Sequence, residues 1–168
     1  MVSPPIPKNE AMRLHSLHCL RVLDTASEER FDRITRIAKR FFDVDICLIS
    51  LVDAKRQWFK SRQGLDAHET SRCVSFCGHA ILDDEIFIVD DATDDPRFND
   101  NPLVTGAPDI RFYAGCPIKG PFGYPIGTLC LIDSKPRSMP PNDCEMLSDL
   151  AAMVESELRV RALHSLSA

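Results

Sequence analysis

The sequence predicts an α+β domain built on an antiparallel sheet. Two observations lead there. Strand-like apolar runs come in pairs joined by short polar or glycine-containing loops, and helical apolar stripes gather at the two ends of the chain. A third observation sets the scale: 168 residues, 44% hydrophobic and 27% charged, suffice for one domain with its own core.

The elements follow in order. Residues 1–8 carry Pro4, Pro5 and Pro7 and read as a flexible lead-in, with a single domain over 9–166. A helical stretch over 9–23 repeats Leu14, Leu17, Leu20 and Leu23. For a second helix, Thr25 is the expected cap and Glu28 its capping-box partner, ahead of a stripe of Phe31, Ile34, Ala38 and Phe41. Residues 46–52 are apolar on both alternating faces, as in a strand covered on both sides. Residues 57–62, with Trp58 and Phe59 on opposite faces, return as its hairpin partner across the turn at 53–56.

A polar loop over 64–72 leads to a short helix at 75–82 and a brief strand at 86–89. Residues 90–109 form a long turn-rich segment punctuated by Asp95-Pro96 and Asn101-Pro102, and such segments tend to be functional. Two strands, 111–118 and 126–133, form a second hairpin. Asn142, with Glu145 as partner, opens a last helix lined by Leu147, Leu150, Val154 and Leu158 and widened by Met146 and Met153.

The net charge of -5 offers no basic stripe for phosphate neutralisation, so no nucleic-acid partner is expected. No run is long and apolar enough for a membrane span, and residues 1–7 lack the pattern of a secretory signal. A soluble, cytoplasmic protein is expected. Seven cysteines (19, 47, 73, 77, 116, 130 and 144), several inside apolar runs, read as buried free thiols in a reducing compartment.

An ordered set of strings resembles the GAF domain family, in its bacterial signalling branch of sensor-kinase and diguanylate-cyclase input domains. These are Leu23-Asp24-Thr25, Ile49-Ser50-Leu51-Val52-Asp53, Arg56-Gln57-Trp58-Phe59-Lys60-Ser61 and Ser75-Phe76-Cys77-Gly78-His79-Ala80-Ile81. Asn101-Pro102-Leu103-Val104, Arg111-Phe112-Tyr113-Ala114-Gly115 and Gly127-Thr128-Leu129-Cys130-Leu131-Ile132-Asp133 complete the set. The resemblance covers about residues 10–160. It implies a PAS-like central antiparallel sheet of five or six strands, terminal helices on one face, and short helices with a long loop on the other. It also implies a small-molecule pocket on that second face, dimerisation through the terminal helices, and an output domain or protein downstream. Whether the chain is an input module or a stand-alone protein stays open.

The expected role is therefore a sensing or regulatory domain without catalysis of its own, a homodimer that binds a small molecule or a partner. The ligand contacts expected are Ser75, Cys77, His79, Arg111 and Tyr113. Arg111 and Tyr113 lie two apart on a strand and share a face, where a guanidinium and a phenol could grip an anion. The plainer reading of Arg111 is a salt bridge to Asp90, Asp91, Asp94 or Asp95 that fixes the loop. Cys73, Cys77 and His79 are weak candidates for a metal, lacking a fourth ligand nearby. In the plainer reading Cys77 packs in the core and His79 hydrogen-bonds the nearby loop.

Two alternatives stand beside the sensor. The first is a thiol-dependent free methionine sulfoxide reductase using Cys77, with Cys73 as a possible redox neighbour; the resemblance places a cysteine of that branch at Cys77, while residues 99–109 lack the other. The second is a ligand-free dimerisation module, whose hallmark would be a pocket filled by its own side chains. No cofactor is identified, since neither a cyclic-nucleotide signature nor a Cys-His bilin attachment pair is present; the adjacent pair runs His18-Cys19.

Overall fold

The computed structural model describes residues 1–166. The strands are β1 (Ile46–Val52), β2 (Arg56–Gln63), β3 (Glu69–Ser71), β4 (Phe87–Val89), β5 (Phe112–Lys119) and β6 (Pro125–Asp133). They form one sheet in the order β3-β2-β1-β6-β5-β4, every neighbour antiparallel. The helices are α1 (Glu10–Cys19), α2 (Glu29–Phe42), α3 (Phe76–Ala80), α4 (Pro102–Thr105) and α5 (Pro141–Leu166). An α+β fold with a six-stranded antiparallel sheet is thus the architecture.

Strand alternation sorts the core into two layers. Cys47, Ile49, Leu51, Ala114, Leu129 and Leu131 face Leu17 of α1, Phe31, Ile34 and Ala38 of α2, and Leu147, Val154 and Leu158 of α5. Leu48, Phe59, Tyr113, Cys130 and Ile132 face α3, Phe98 and α4 on the opposite side. Terminal helices therefore cover one face, and the short helices with the long loop cover the other. The central strand β1 is buried along its whole length, which explains why its sequence does not alternate.

The local expectations fail in informative places. Helix α1 stops at Cys19, because Arg21 takes a positive φ of 48° that no helix continues. The expected Thr25–Glu28 capping box does not form. The helix begins at Glu29 with no side-chain cap, and the Thr25 hydroxyl donates to the Val22 carbonyl at 2.6 Å. Tertiary charge is the reason: Lys60 pairs with Glu28 at 2.7 Å and donates to Thr25 at 2.9 Å, while Arg161 of α5 donates to Glu28 at 2.9 Å. Phe41 is 54% exposed and its neighbour Phe42 takes the core position instead. One extra residue on β2, between the Ile49–Ser61 and Ser50–Phe59 pairs, makes a bulge. It lets Lys60 and Ser61 both reach α2, Ser61 donating to Asp32 at 2.5 Å.

Residues 1–4 lie across α3. The Val2 amide donates to the Arg97 carbonyl at 2.9 Å, and Pro4 is buried against Gly78. A Cβ on Gly78 would come within 2.6 Å of the Pro4 ring, so only glycine permits this approach.

Candidate functional site

The expected site residues do gather on the α3 side of the sheet, but they do not line an open pocket. Ser75 caps α3, its hydroxyl accepting from the Gly78 amide at 2.7 Å, and it donates to Gln57 at 3.0 Å. A serine with an extended backbone immediately before a short helix is what the first turn requires. The cap turns the next residues inward, so that Phe76 and Cys77 join the core on this side of the sheet and His79 is buried beside them.

An aromatic cluster fills the space. Phe76 stacks on Phe98 at 4.1 Å, and Tyr113 and His79 flank them at 5.2 and 5.0 Å. Phe87 closes one side, with the Arg97 guanidinium 5.0 Å over its ring. Tyr113 is fully buried, and Ser75 and Phe98 equally so. The His79 ring bonds the Val2 carbonyl at 3.0 Å rather than the neighbouring loop, and burial pushes its pKa down. Arg111 forms none of the expected aspartate bridges among the described residues. Its guanidinium donates to the Val104 and Ile110 carbonyls, each at 3.0 Å, and so fixes the long segment through its backbone. One guanidinium nitrogen of Arg111 is thereby committed to the backbone, and the Tyr113 hydroxyl to Cys77.

Cys77 has the most specialised surroundings. Its sulfur receives the Tyr113 hydroxyl at 3.2 Å and the Thr128 hydroxyl at 3.2 Å, and lies 3.9 Å from the sulfur of Cys130. Burial alone would push this thiol up. The Cys130 thiol and the hydroxyls of Ser50, Thr128 and Tyr113 outweigh it by favouring the thiolate, so the balance falls below the ordinary thiol range. Cys130, sharing the same proton system, is pushed up, first by its bond to Cys77 and then by burial. Cys73 plays no part here. It sits exposed in the turn over Arg72–Val74, bonded to Ser71 at 3.0 Å, whereas Cys77 is buried. Among the described residues no His, Cys, Asp or Glu cluster could hold a metal ion.

An open cleft of about 870 Å³ lies instead beside the edge strand β4. Ile88, Asp90, Asp94, Arg97 and Met139 line it, and none of the five expected contacts does. A second feature escaped the sequence reading altogether. Arg13 of α1 is completely buried, donating to the Val52 carbonyl at 2.6 Å and to Glu10 at 2.8 Å. Arg72 completes the group with a 2.5 Å bond to Glu10. Burial would raise the Glu10 pKa, but the two guanidinium groups outweigh it and hold the carboxyl at about 2. This cage ties α1 to the end of β1 and to the segment leading into α3.

Comparisons with known proteins place the geometry in context. A family model for the GAF domain matches residues 27–158. A cyclic di-GMP phosphodiesterase of Pseudomonas aeruginosa is 43% identical over 166 residues, 98% of this chain and 28% of that protein. The chain thus spans under a third of the length of the curated relative it matches. Among solved structures, free methionine-R-sulfoxide reductase of Neisseria meningitidis in complex with its substrate superposes with a TM-score of 0.65 at 17% identity, over 89% of each chain. The GAF domain of Thermosynechococcus elongatus PixJ, in its blue-light absorbing form, gives 0.64 at 15% identity, over 92% of each. At these identities the structural likenesses speak for the fold. The names also correct one expectation from sequence: a domain without catalysis of its own is expected, whereas the sequence relative and the neisserial structure are both named as enzymes.

Proposed function

The chain belongs to the GAF domain family, a signal-sensing fold, and from this premise we propose that it is the signal-receiving part of a cyclic di-GMP phosphodiesterase. In this reading a small molecule or partner engages the α3 side, and the response is passed to the terminal helices of a homodimer. One observation carries the relay. Neighbouring residues of β5 and β6 serve opposite layers: Tyr113 and Cys130 face α3, while Ala114, Leu129 and Leu131 face the layer of α2 and α5. Because packed interiors transmit displacement rather than absorb it, a shift under α3 reaches the helices through single strands.

The aromatic filling bears on how a signal enters. Phe98 and residues 2–4 must move before a ligand can touch the buried Ser75, Cys77, His79 or Tyr113, so binding would select an opened population. The dimer contact proposed is the outer stripe of α5, where Met153 and Val160 are 50% and 41% exposed and stand seven residues apart. Met12 of α1 adds to the exposed apolar surface.

The test uses the natural gene product that carries this sequence. Cyclic di-GMP hydrolysis and light scattering are measured for the wild type and for a Met153→Glu, Val160→Glu double variant. The reading expects hydrolysis, a dimer, and in the double variant a monomer whose rate differs by at least about fivefold. Equal rates in dimer and monomer would sink the relay, and a wild type without hydrolysis would sink the enzyme assignment.

A second reading, thiol-dependent reduction of free methionine sulfoxide, is favoured by the donors converging on Cys77. Turnover abolished in Cys77→Ser would support it, and no turnover in the wild type would remove it. A ligand-free dimerisation role is favoured by the filled α3 side.

A further inference from the structure

Cys77 and Cys130 stand 53 positions apart in the chain, one on α3 and the other on β6, and the fold brings their sulfurs to 3.9 Å. From this approach, and from the hydroxyl groups trained on the Cys77 sulfur, we infer that the two thiols form a reversible disulfide. The oxidant fitting the site is a small hydroperoxide. This inference goes beyond the phosphodiesterase reading and does not depend on it, because the crosslink is a property of the chain itself.

The two sulfurs are not equivalent, and the difference assigns their roles. Tyr113 and Thr128 each direct a hydroxyl at Cys77 from 3.2 Å, which stabilises negative charge on that sulfur. Cys130 has no comparable set of donors and keeps its proton. Cys77 is therefore the attacking thiolate. Its sulfur bonds to the terminal oxygen of the hydroperoxide as the O–O bond breaks. The alcohol leaves with the proton that Cys77 had released, and Cys77 becomes a sulfenic acid. The Cys130 sulfur then attacks the Cys77 sulfur. The S–S bond forms, the S–O bond breaks, and the hydroxide departs as water with the Cys130 proton. Two thiols and one hydroperoxide give one disulfide, one alcohol and one water, with two electrons transferred.

Geometry makes closure a small movement. A disulfide requires sulfurs about 2.0 Å apart, so the present 3.9 Å separation must shorten by roughly 2 Å. Helix α3 has only five residues, held by the Ser75 cap and by the residue 2–4 strap, and it is the element able to give. Entry of the oxidant requires the same element to lift, since Cys77 is 3% exposed and Cys130 is fully buried. Short, strap-held segments open locally without global unfolding. The reaction is accordingly limited by opening and hastened by whatever loosens the strap. Cys47 and Cys116 pack in the opposite layer, against the terminal helices, and are not partners.

The experiment treats the chain with hydrogen peroxide, alkylates the remaining thiols and maps peptides without reduction. A Cys19→Ser, Cys73→Ser, Cys144→Ser background removes the two exposed thiols and the half-buried one. The expected result is a peptide linking Cys77 to Cys130, an intact mass lower by about 2 Da and restoration by dithiothreitol. Pro4→Gly should speed crosslinking at least about fivefold by freeing α3. The wild-type chain is mapped in parallel, so the 77–130 link is read even should a variant fold poorly. Three results would overturn the inference: a link from Cys77 or Cys130 to another cysteine, sulfinic acid at Cys77 beside a free Cys130, or both thiols unmodified under conditions that oxidise the denatured chain.

Discussion

Phe98→Ala tests whether the α3 side is closed by the protein's own side chains. Phe98 is fully buried, stacked at 4.1 Å on Phe76 and edge-on to His79 at 5.0 Å. Truncating a buried phenylalanine in a site that cannot collapse costs about 3–5 kcal/mol, and the lost stacking belongs to that sum. Collapse is hindered here because Tyr113 is anchored to Cys77 and the Phe87 ring lies under Arg97. For a chain of 168 residues, 1 kcal/mol corresponds to roughly 3 °C in Tm, so the midpoint should fall by about 9–15 °C. The vacated space would be lined by Phe76, His79, Phe87 and Tyr113, an apolar chamber suited to a small aromatic ring. Calorimetry with and without benzene reads both consequences. The variant should melt lower and recover part of the loss with benzene, while the wild type should not respond. A shift below about 3 °C would show that the 90–109 segment does not seal this side, and the reasoning would fail.

Further outcomes follow from the same contacts. Glu10 has a folded pKa of about 2, below its ordinary 4.5, so its contribution is complete above pH 4.5 and disappears as pH falls through about 2. Glu10→Gln should therefore lose about 3 kcal/mol at pH 7, and urea titrations of variant and wild type should converge toward pH 2. Ser75→Ala removes the α3 cap at a cost of about 1 kcal/mol, visible as faster exchange of the Gly78 amide. In Gly127→Ala the new Cβ would overlap the Ser50 carbonyl oxygen on the adjacent strand. Circular dichroism should report a loss of at least about 3 kcal/mol, and native stability there would contradict the β1–β6 register.

Much of the fold was legible because its signals are local. The doubly apolar run 46–52 announces a covered central strand, and the glycine-bearing loop after Lys119 announces a hairpin. The three-residue β3 was missed because Glu69, Thr70 and Ser71 offer no apolar side chain, and the strand exists only by pairing with β2. The choice between Phe41 and Phe42 is likewise tertiary, since adjacent aromatic residues fit the helical stripe almost equally well. The candidate site was legible in membership and not in state. Ser75, Cys77, His79 and Tyr113 do converge, but no local pattern reveals that Phe98, 15 residues before Tyr113 in the chain, fills the space among them. Strand parity could have found Cys130. It shares a face of β6 with Ile132 and stands opposite the side that Leu129 and Leu131 turn to the terminal helices. The Glu10–Arg13–Arg72 cage joins residues up to 62 positions apart, and a buried arginine has no sequence signature.

The relay from α3 through β5 and β6 to α5 is tested most directly by amide hydrogen exchange on Ser75→Ala and wild type. Both are held equally far below their own melting temperatures, which removes the difference in global stability. Loosening α3 should accelerate exchange at residues 76–81 and also across 147–158 of α5, on the far side of the sheet. Acceleration confined to 76–81, with α5 unchanged, would contradict coupling between the two layers.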